Sequence, residues 1–157
     1  MVRTELKVKA PEGTEIRESE TLTQWDIPNL VFTVETDERG LSVHIHAVWV
    51  PSRLRGKGIG TAMLKALEEA VAQAGGGVIW GEAFPYTEGK GATYREVREL
   101  IRWWEKRGYE PQEDLSLLKD AYREQAKKWD MNPSEIQLGY DEVAHLTWFE
   151  KEIPETD

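Results

Sequence analysis

The chain has 157 residues, with 20 Lys+Arg against 29 Asp+Glu and a formal net charge of −9. Hydrophobic residues make up 39% and charged residues 31%, a balance that suits a single globular domain and excludes a disordered or membrane-embedded chain. Cysteine is absent, which removes disulfides, thiolate metal sites and any Cys nucleophile, and the acidic balance argues against non-specific nucleic-acid binding.

No run reaches the apolar length that spans a bilayer, and MVRTELKVKA lacks the apolar region of a signal peptide. A cytoplasmic protein without a membrane partner is therefore expected. Excess negative charge has two readings: it keeps the chain in solution, or it concentrates a cationic substrate at an acidic cleft. Seven Trp residues are many for this length and are expected mostly in the core or in cleft walls.

In chain order, Glu5 to Lys9 reads as a first strand and Pro11-Glu12-Gly13 as a turn. Leu22 to Ile27 reads as a second, short strand ended by Pro28-Asn29. Leu30 to Thr36 and Leu41 to Val50 form a hairpin closed by the four residues Asp37-Glu38-Arg39-Gly40. In its second arm Val43, Ile45 and Ala47 share one face, and His44, His46 and Val48 the other.

A glycine turn follows. Then Ile59, Met63, Ala66, Leu67, Ala70, Val71 and Ala74 recur at helical spacing until Gly75-Gly76-Gly77 stops the helix. Val78-Ile79-Trp80 begins a buried strand running towards Pro85, so strand, helix and strand form a crossover expected to be right-handed and parallel. A second helix runs from about Thr93 to Arg107, with Val97, Leu100, Ile101 and Trp104 on one face and Gly108 as its stop. A third, from about Glu113 to Trp129, carries Leu118, Ala121, Tyr122, Gln125 and Trp129 and closes at Asn132-Pro133. Val143 to Ile153 reads as the last strand. The sum is an α/β (α+β) sandwich around a mixed sheet, in one domain over residues 1–157.

The most informative segment is His44 to Gly60. Within it Arg55-Gly56-Lys57-Gly58-Ile59-Gly60 is a doubly basic, glycine-rich turn between a strand and a helix. Glycines let backbone N–H groups converge on a phosphate, and a helix N-terminus favours an anion. The turn reads as a pyrophosphate cradle, or else as a glycine-rich surface loop that only caps the helix.

The spacing Arg55, Gly58, Gly60, preceded by Val48-Trp49-Val50 and followed by an Ala/Leu-rich helix, resembles the signature loop of the GNAT superfamily of N-acetyltransferases. The resemblance covers roughly Leu41 to Tyr109. Trp103-Trp104-Glu105-Lys106-Arg107-Gly108-Tyr109 is similar to the family's second landmark, an aromatic pair, charged residues, Gly and an aromatic. The chain departs from the family pattern in its short N-terminal stretch, with room for only reduced helices there. It also lacks an Asn near the start of the helix before Gly108, and it has an extra helix before the last strand.

The resemblance implies acetyl-CoA as co-substrate, with direct attack of a primary amine on the thioester and no metal. It implies that backbone N–H groups of Arg55, Gly56, Lys57, Gly58, Ile59 and Gly60 hold the pyrophosphate, with Thr61 adding a hydroxyl. Val48, Trp49 and Val50 are implied to pair with the pantetheine arm. An alkylammonium has no lone pair at neutral pH, so a base is needed, and imidazole suits that task. In the family register His44 falls where protein-acetylating members place a glutamate base, and His44-x-His46 resembles the pair of the serotonin N-acetyltransferases. A structural role for both histidines, or zinc binding by them, stays open.

Glu82 is a candidate to bind a cationic acceptor, or an alternative base; it reads equally as a solvent-facing carboxylate. Trp104 stands where the family has a tyrosine acid, and an indole does not serve as one, so Trp104 is expected in the core. Tyr109, Tyr94 and Tyr86 are the tyrosine candidates for that proton. Phe84 to Gly91 reads as a connection or a substrate-facing flap. Two other function classes remain: a non-catalytic CoA-binding or partner-binding module, and an acyltransferase for a longer acyl donor. The acceptor is a small-molecule or protein amine, and a homodimer is among the assemblies left open.

Overall fold

β-Branched and aromatic residues crowd Asn29–Asp37 and Gly40–Trp49, and these segments pair as the long antiparallel hairpin of the protein, β3 and β4. A computed structural model describes residues 15–18, 22–26, 29–37, 40–49, 58–85 and 90–156. The strand expected at Glu5 to Lys9 and the turn after it lie outside these residues. Two further strands, β1 (Glu15–Glu18) and β2 (Leu22–Asp26), add antiparallel to the β3 side. The hairpin ladder runs from Asn29↔Trp49 to Asp37↔Gly40, so two positions separate the strands rather than the four expected.

The described residues pack as two units, one comprising those up to Trp80 with those from Glu152 on, the other Gly81–Lys151. In the first unit the strand order is β1-β2-β3-β4-β5, with β5 at Gly77–Glu82. Leu41 abuts Gly77 and His44 lies against Trp80, so numbering rises together along β4 and β5 and the two run parallel. Helix α1 (Ile59–Gln73) connects them and packs on β4. Its Met63, Leu64, Leu67, Ala70 and Val71 are buried, as are Phe32, Val43, Ile45, Val78 and Ile79 of the strands. The parallel pairing of the two strands joined by this helix follows the expected pattern.

The three glycines after α1 have different tasks. Gly75 and Gly76 turn the chain at φ 111° and 84°, where a side chain is strained. A Cβ on Gly76 would stand 2.7 Å from the Ile153 carbonyl oxygen, and one on Gly77 would run into the Leu41 carbonyl. The run therefore ends a helix and also lets β5 lie close against its neighbours. Thr156 N–H donates to Ala72 O at 3.1 Å, fastening the chain's last residues to the end of α1.

In the second unit Thr93 caps α2 (Tyr94–Glu105): its hydroxyl accepts from Glu96 N–H, and Glu96 accepts from Thr93 N–H. Val97, Ile101 and Trp104 form the buried stripe, and Gly108 at φ 89° ends the helix region. β6 (Glu110–Pro111), which periodicity missed, pairs antiparallel with β7 (Trp148–Ile153) through Glu110↔Glu150 and Pro111↔Phe149. Helix α3 (Leu115–Trp129) starts at Asp114, whose carboxylate accepts from Ser116 N–H, and ends at Asp130 in the left-handed region. It buries Leu118, Tyr122 and Ala126, whereas Trp129, placed on the apolar face by spacing, is 55% exposed.

The final strand is shorter than expected from Val143. Tyr140–Val143 forms one turn of helix (α4) and Ala144–Leu146 a 3₁₀ turn before β7 begins at Trp148. Local side-chain bonds account for this. Glu142 Oε1 accepts from Gly139 N–H at 3.1 Å, and Thr147 Oγ1 donates to Ala144 O at 2.9 Å. The mixed α/β fold agrees with the expected class.

Candidate active site

Alternation along β4 buries Leu41, Val43 and Ile45, which leaves Ser42 and His44 on the opposite face, both half-buried. The parallel neighbour β5 brings Trp80 to that face. The His44 imidazole lies flat on the Trp80 ring, with centroids 3.8 Å apart and an interplanar angle of 6°. Trp80 Nε1–H donates to Ser42 Oγ at 3.1 Å, which fixes the indole in its own plane. The histidine is thus presented by a rigid aromatic wall that is itself hydrogen-bonded to the histidine's own strand.

His46 has a different backbone setting. Val31 pairs with Ala47 but Phe32 pairs with Ile45, so His46 is the extra residue of a β-bulge in β4. The unbroken period-two pattern expected from Val43 to Val48 stops there. Val48 and Trp49 continue β4 opposite Leu30 and Asn29. Val50, Arg55, Gly56 and Lys57 lie outside the described residues.

Beyond them, Gly58 occupies the N-cap of α1 at φ 76°, ψ 13°, with open space where a Cβ would go; backbone conformation, not crowding, selects glycine. Among the described residues no side chain caps this helix, and its first turn holds no acidic residue. Ile59, Gly60 and Thr61 form that first turn. A helix supplies no acceptor for the N–H groups of its first turn, so this start suits an anion.

Glu82 ends β5 and is half-buried. Burial pushes the Tyr140 phenol up from its ordinary pKa, followed by the negative charges of Glu82 and Asp141. Phe84 meets the Tyr140 ring edge-on at 5.7 Å. Tyr140 was not among the tyrosines expected at the site. The readable signal was Gly139 followed three residues later by Glu142, a helix start inside a segment that otherwise looks strand-like.

The other tyrosines are placed differently. Tyr109 is 1% exposed and its ring meets Trp104 at 5.0 Å and Phe149 at 5.5 Å, edge-on in both cases. Trp104 is 4% exposed and stacks on Phe149 at 4.0 Å, so both residues are walls of the second unit's core. Tyr94 sets its ring against Tyr122 at 5.8 Å, and Tyr86 lies outside the described residues. Among the described residues no three potential metal ligands come together. No described helix is long and apolar enough to cross a membrane.

Against protein-family models, residues 24–109 match the acetyltransferase (GNAT) family, more than half of the chain. The chain belongs to that family. The matched stretch takes in β3, β4, α1, β5 and α2, and with them His44, the glycine turn, Glu82 and Tyr109; Tyr140 lies beyond it. Searches of curated proteins and of solved structures found no match. GNAT proteins are generally acyltransferases that use acetyl-CoA as co-substrate, and the fold described above is theirs.

Proposed function

We propose that the chain is a single-domain cytoplasmic N-acetyltransferase, spanning residues 1–157, that moves the acetyl group of acetyl-CoA to a primary amine. The observation that carries this reading is His44 held flat on Trp80, in a chain of the GNAT family. In the reaction the acceptor nitrogen forms a bond to the acetyl carbon and the bond to sulfur breaks. The amine proton passes to His44, directly or through water, and the thiolate leaves. His46 assists by positioning that water. The residues present fit the co-substrate: the uncapped, acid-free start of α1 at Gly58 to Thr61 suits a diphosphate, with Arg55 and Lys57 adding charge from sequence.

A second reading, a CoA-binding module without turnover, draws on Trp104. The family's tyrosine acid is replaced there by a buried indole, and Tyr109 is buried beside it. Titration calorimetry with acetyl-CoA and CoA, followed by thiol release on a panel of amines, separates the two. No binding removes the enzyme reading, and binding without turnover on any amine favours the module. Comparing acetyl, propionyl and succinyl donors sets the acyl length. For His44→Gln, an unchanged rate and pH profile would overturn the assignment of the base.

A further inference from the structure

Helix α3 lies beyond the matched family stretch, which ends at residue 109. Its buried stripe is Leu118, Tyr122 and Ala126. Beside that stripe a second row recurs every fourth residue: Leu117, Ala121, Gln125 and Trp129. Leu117 is 45% and Trp129 55% exposed, with Ala121 and Gln125 half-buried between them. Met131, one residue past the C-cap Asp130, is 41% exposed. Three of the five exposed large apolar side chains among the described residues thus lie on or at the end of this one helix. On the solvent side, Asp120, Glu124 and Lys128 form the next row, all exposed.

Rows at four-residue spacing are the ridges that interdigitate in the commonest class of helix packing. The groove between the two rows of α3 can therefore take a ridge of the same kind. The flanking row is also self-complementary. Asp120 and Lys128 stand either side of Glu124, each about 6 Å from it along the axis. Two copies of α3 laid antiparallel about a two-fold axis at Glu124 bring each copy's Asp120 to the other's Lys128. The same operation sets Leu117 of one copy beside Trp129 and Met131 of the other. A parallel arrangement would oppose like charges. A two-fold contact needs a surface in which residue i meets j and j meets i, and this row provides one. We propose that the exposed ridge of α3 is a self-association surface that docks antiparallel on α3 of a second copy of this chain. One helix pair is a small interface, so the dimer is weak and reversible. Glu124 opposes it, because at the axis it faces its own copy.

The test is sedimentation velocity of the full chain over a concentration series from about 5 to 500 µM. The wild type is expected to pass reversibly from monomer to dimer within that range. Leu117→Ser and Trp129→Ser, both at exposed positions, are each expected to weaken the dimer about tenfold. Asp120→Lys and Lys128→Asp each set like charges opposite one another, and each is expected to weaken it about threefold. Combined in one chain, the two swaps are expected to restore wild-type dimerisation, because each new residue again meets its opposite. Glu124→Gln removes the like charges at the axis and is expected to tighten the dimer about twofold. Circular dichroism at unchanged helix content separates loss of the contact from loss of α3.

A chain that stays monomeric throughout the series overturns the proposal and leaves the ridge to a different protein. A dimer that Leu117→Ser and Trp129→Ser leave unchanged also overturns it, since the contact then lies elsewhere. A double swap that stays as weak as its single variants removes the antiparallel register, and the proposal with it.

Discussion

Removing the Trp80 indole separates two contributions that hold His44. The stack at 3.8 Å and 6° is worth about 0.5–1.5 kcal/mol beyond the area it buries. The bond from Nε1–H to Ser42 Oγ at 3.1 Å is worth about 0.5–1.5 kcal/mol. Ser42→Ala loses only the second, and water reaches the half-buried indole, so about 0.5–1 kcal/mol is expected. Trp80→Leu loses both, about 2 kcal/mol. With the hydrogen bond already gone, adding Ser42→Ala to Trp80→Leu costs almost nothing more. A double-mutant cycle in urea should therefore give a coupling of about 0.5–1 kcal/mol. The imidazole then loses the stack that orients it, and kcat/KM is expected to fall about ten- to a hundredfold, the scale of lost orientation. The assays are urea unfolding at constant m and thiol release with a competent amine. Zero coupling together with unchanged kcat/KM would refute the claim that Trp80 positions His44.

Gly58→Ala puts a side chain at φ 76° without a clash. It is expected to cost about 1–2 kcal/mol in the left-handed backbone and to weaken acetyl-CoA binding by calorimetry. Gly77→Ala drives a Cβ into the Leu41 carbonyl; a loss of about 1–3 kcal/mol in chemical denaturation is expected, with the His44–Trp80 pair disturbed because it lies on the same two strands. Tyr122 is buried, and burial, followed by the charges of Glu96 and Glu142, raises its pKa. Its folded value exceeds its unfolded one, so its share of stability is whole below pH about 10 and is lost as pH rises towards the folded value. Tyr122→Phe gives up the bond to Ala92 O at 2.6 Å, about 1 kcal/mol at neutral pH, and should show a shallower alkaline decline in thermal melts.

Elements governed by near neighbours were readable from the residues alone. α2 has its cap at Thr93, its apolar stripe at Val97, Ile101 and Trp104, and its glycine stop at Gly108 within one short window. α1 between the glycine turn and Gly75-Gly76-Gly77 is equally local. The last strand was overextended because Val143 to Thr147 has strand-like composition. The bonds that bend it run from Glu142 and Thr147 side chains to the main chain. Tyr109 had the right residue type near the family landmark, but packing with Trp104 and Phe149 put it inside.

By itself the amino-acid order determined the α/β class, the strand–glycine turn–helix unit and the GNAT resemblance, because periodicity, capping and turn chemistry act over a few consecutive residues. Only the tertiary structure decided what surrounds each candidate. Trp80 reaches His44 across parallel strands 36 positions apart, and Tyr140 meets Phe84 across 56. A register shift against β3 singles out His46 as a bulge residue. Such partners depend on strand pairing and close packing between distant segments, and no local pattern in the chain encodes them.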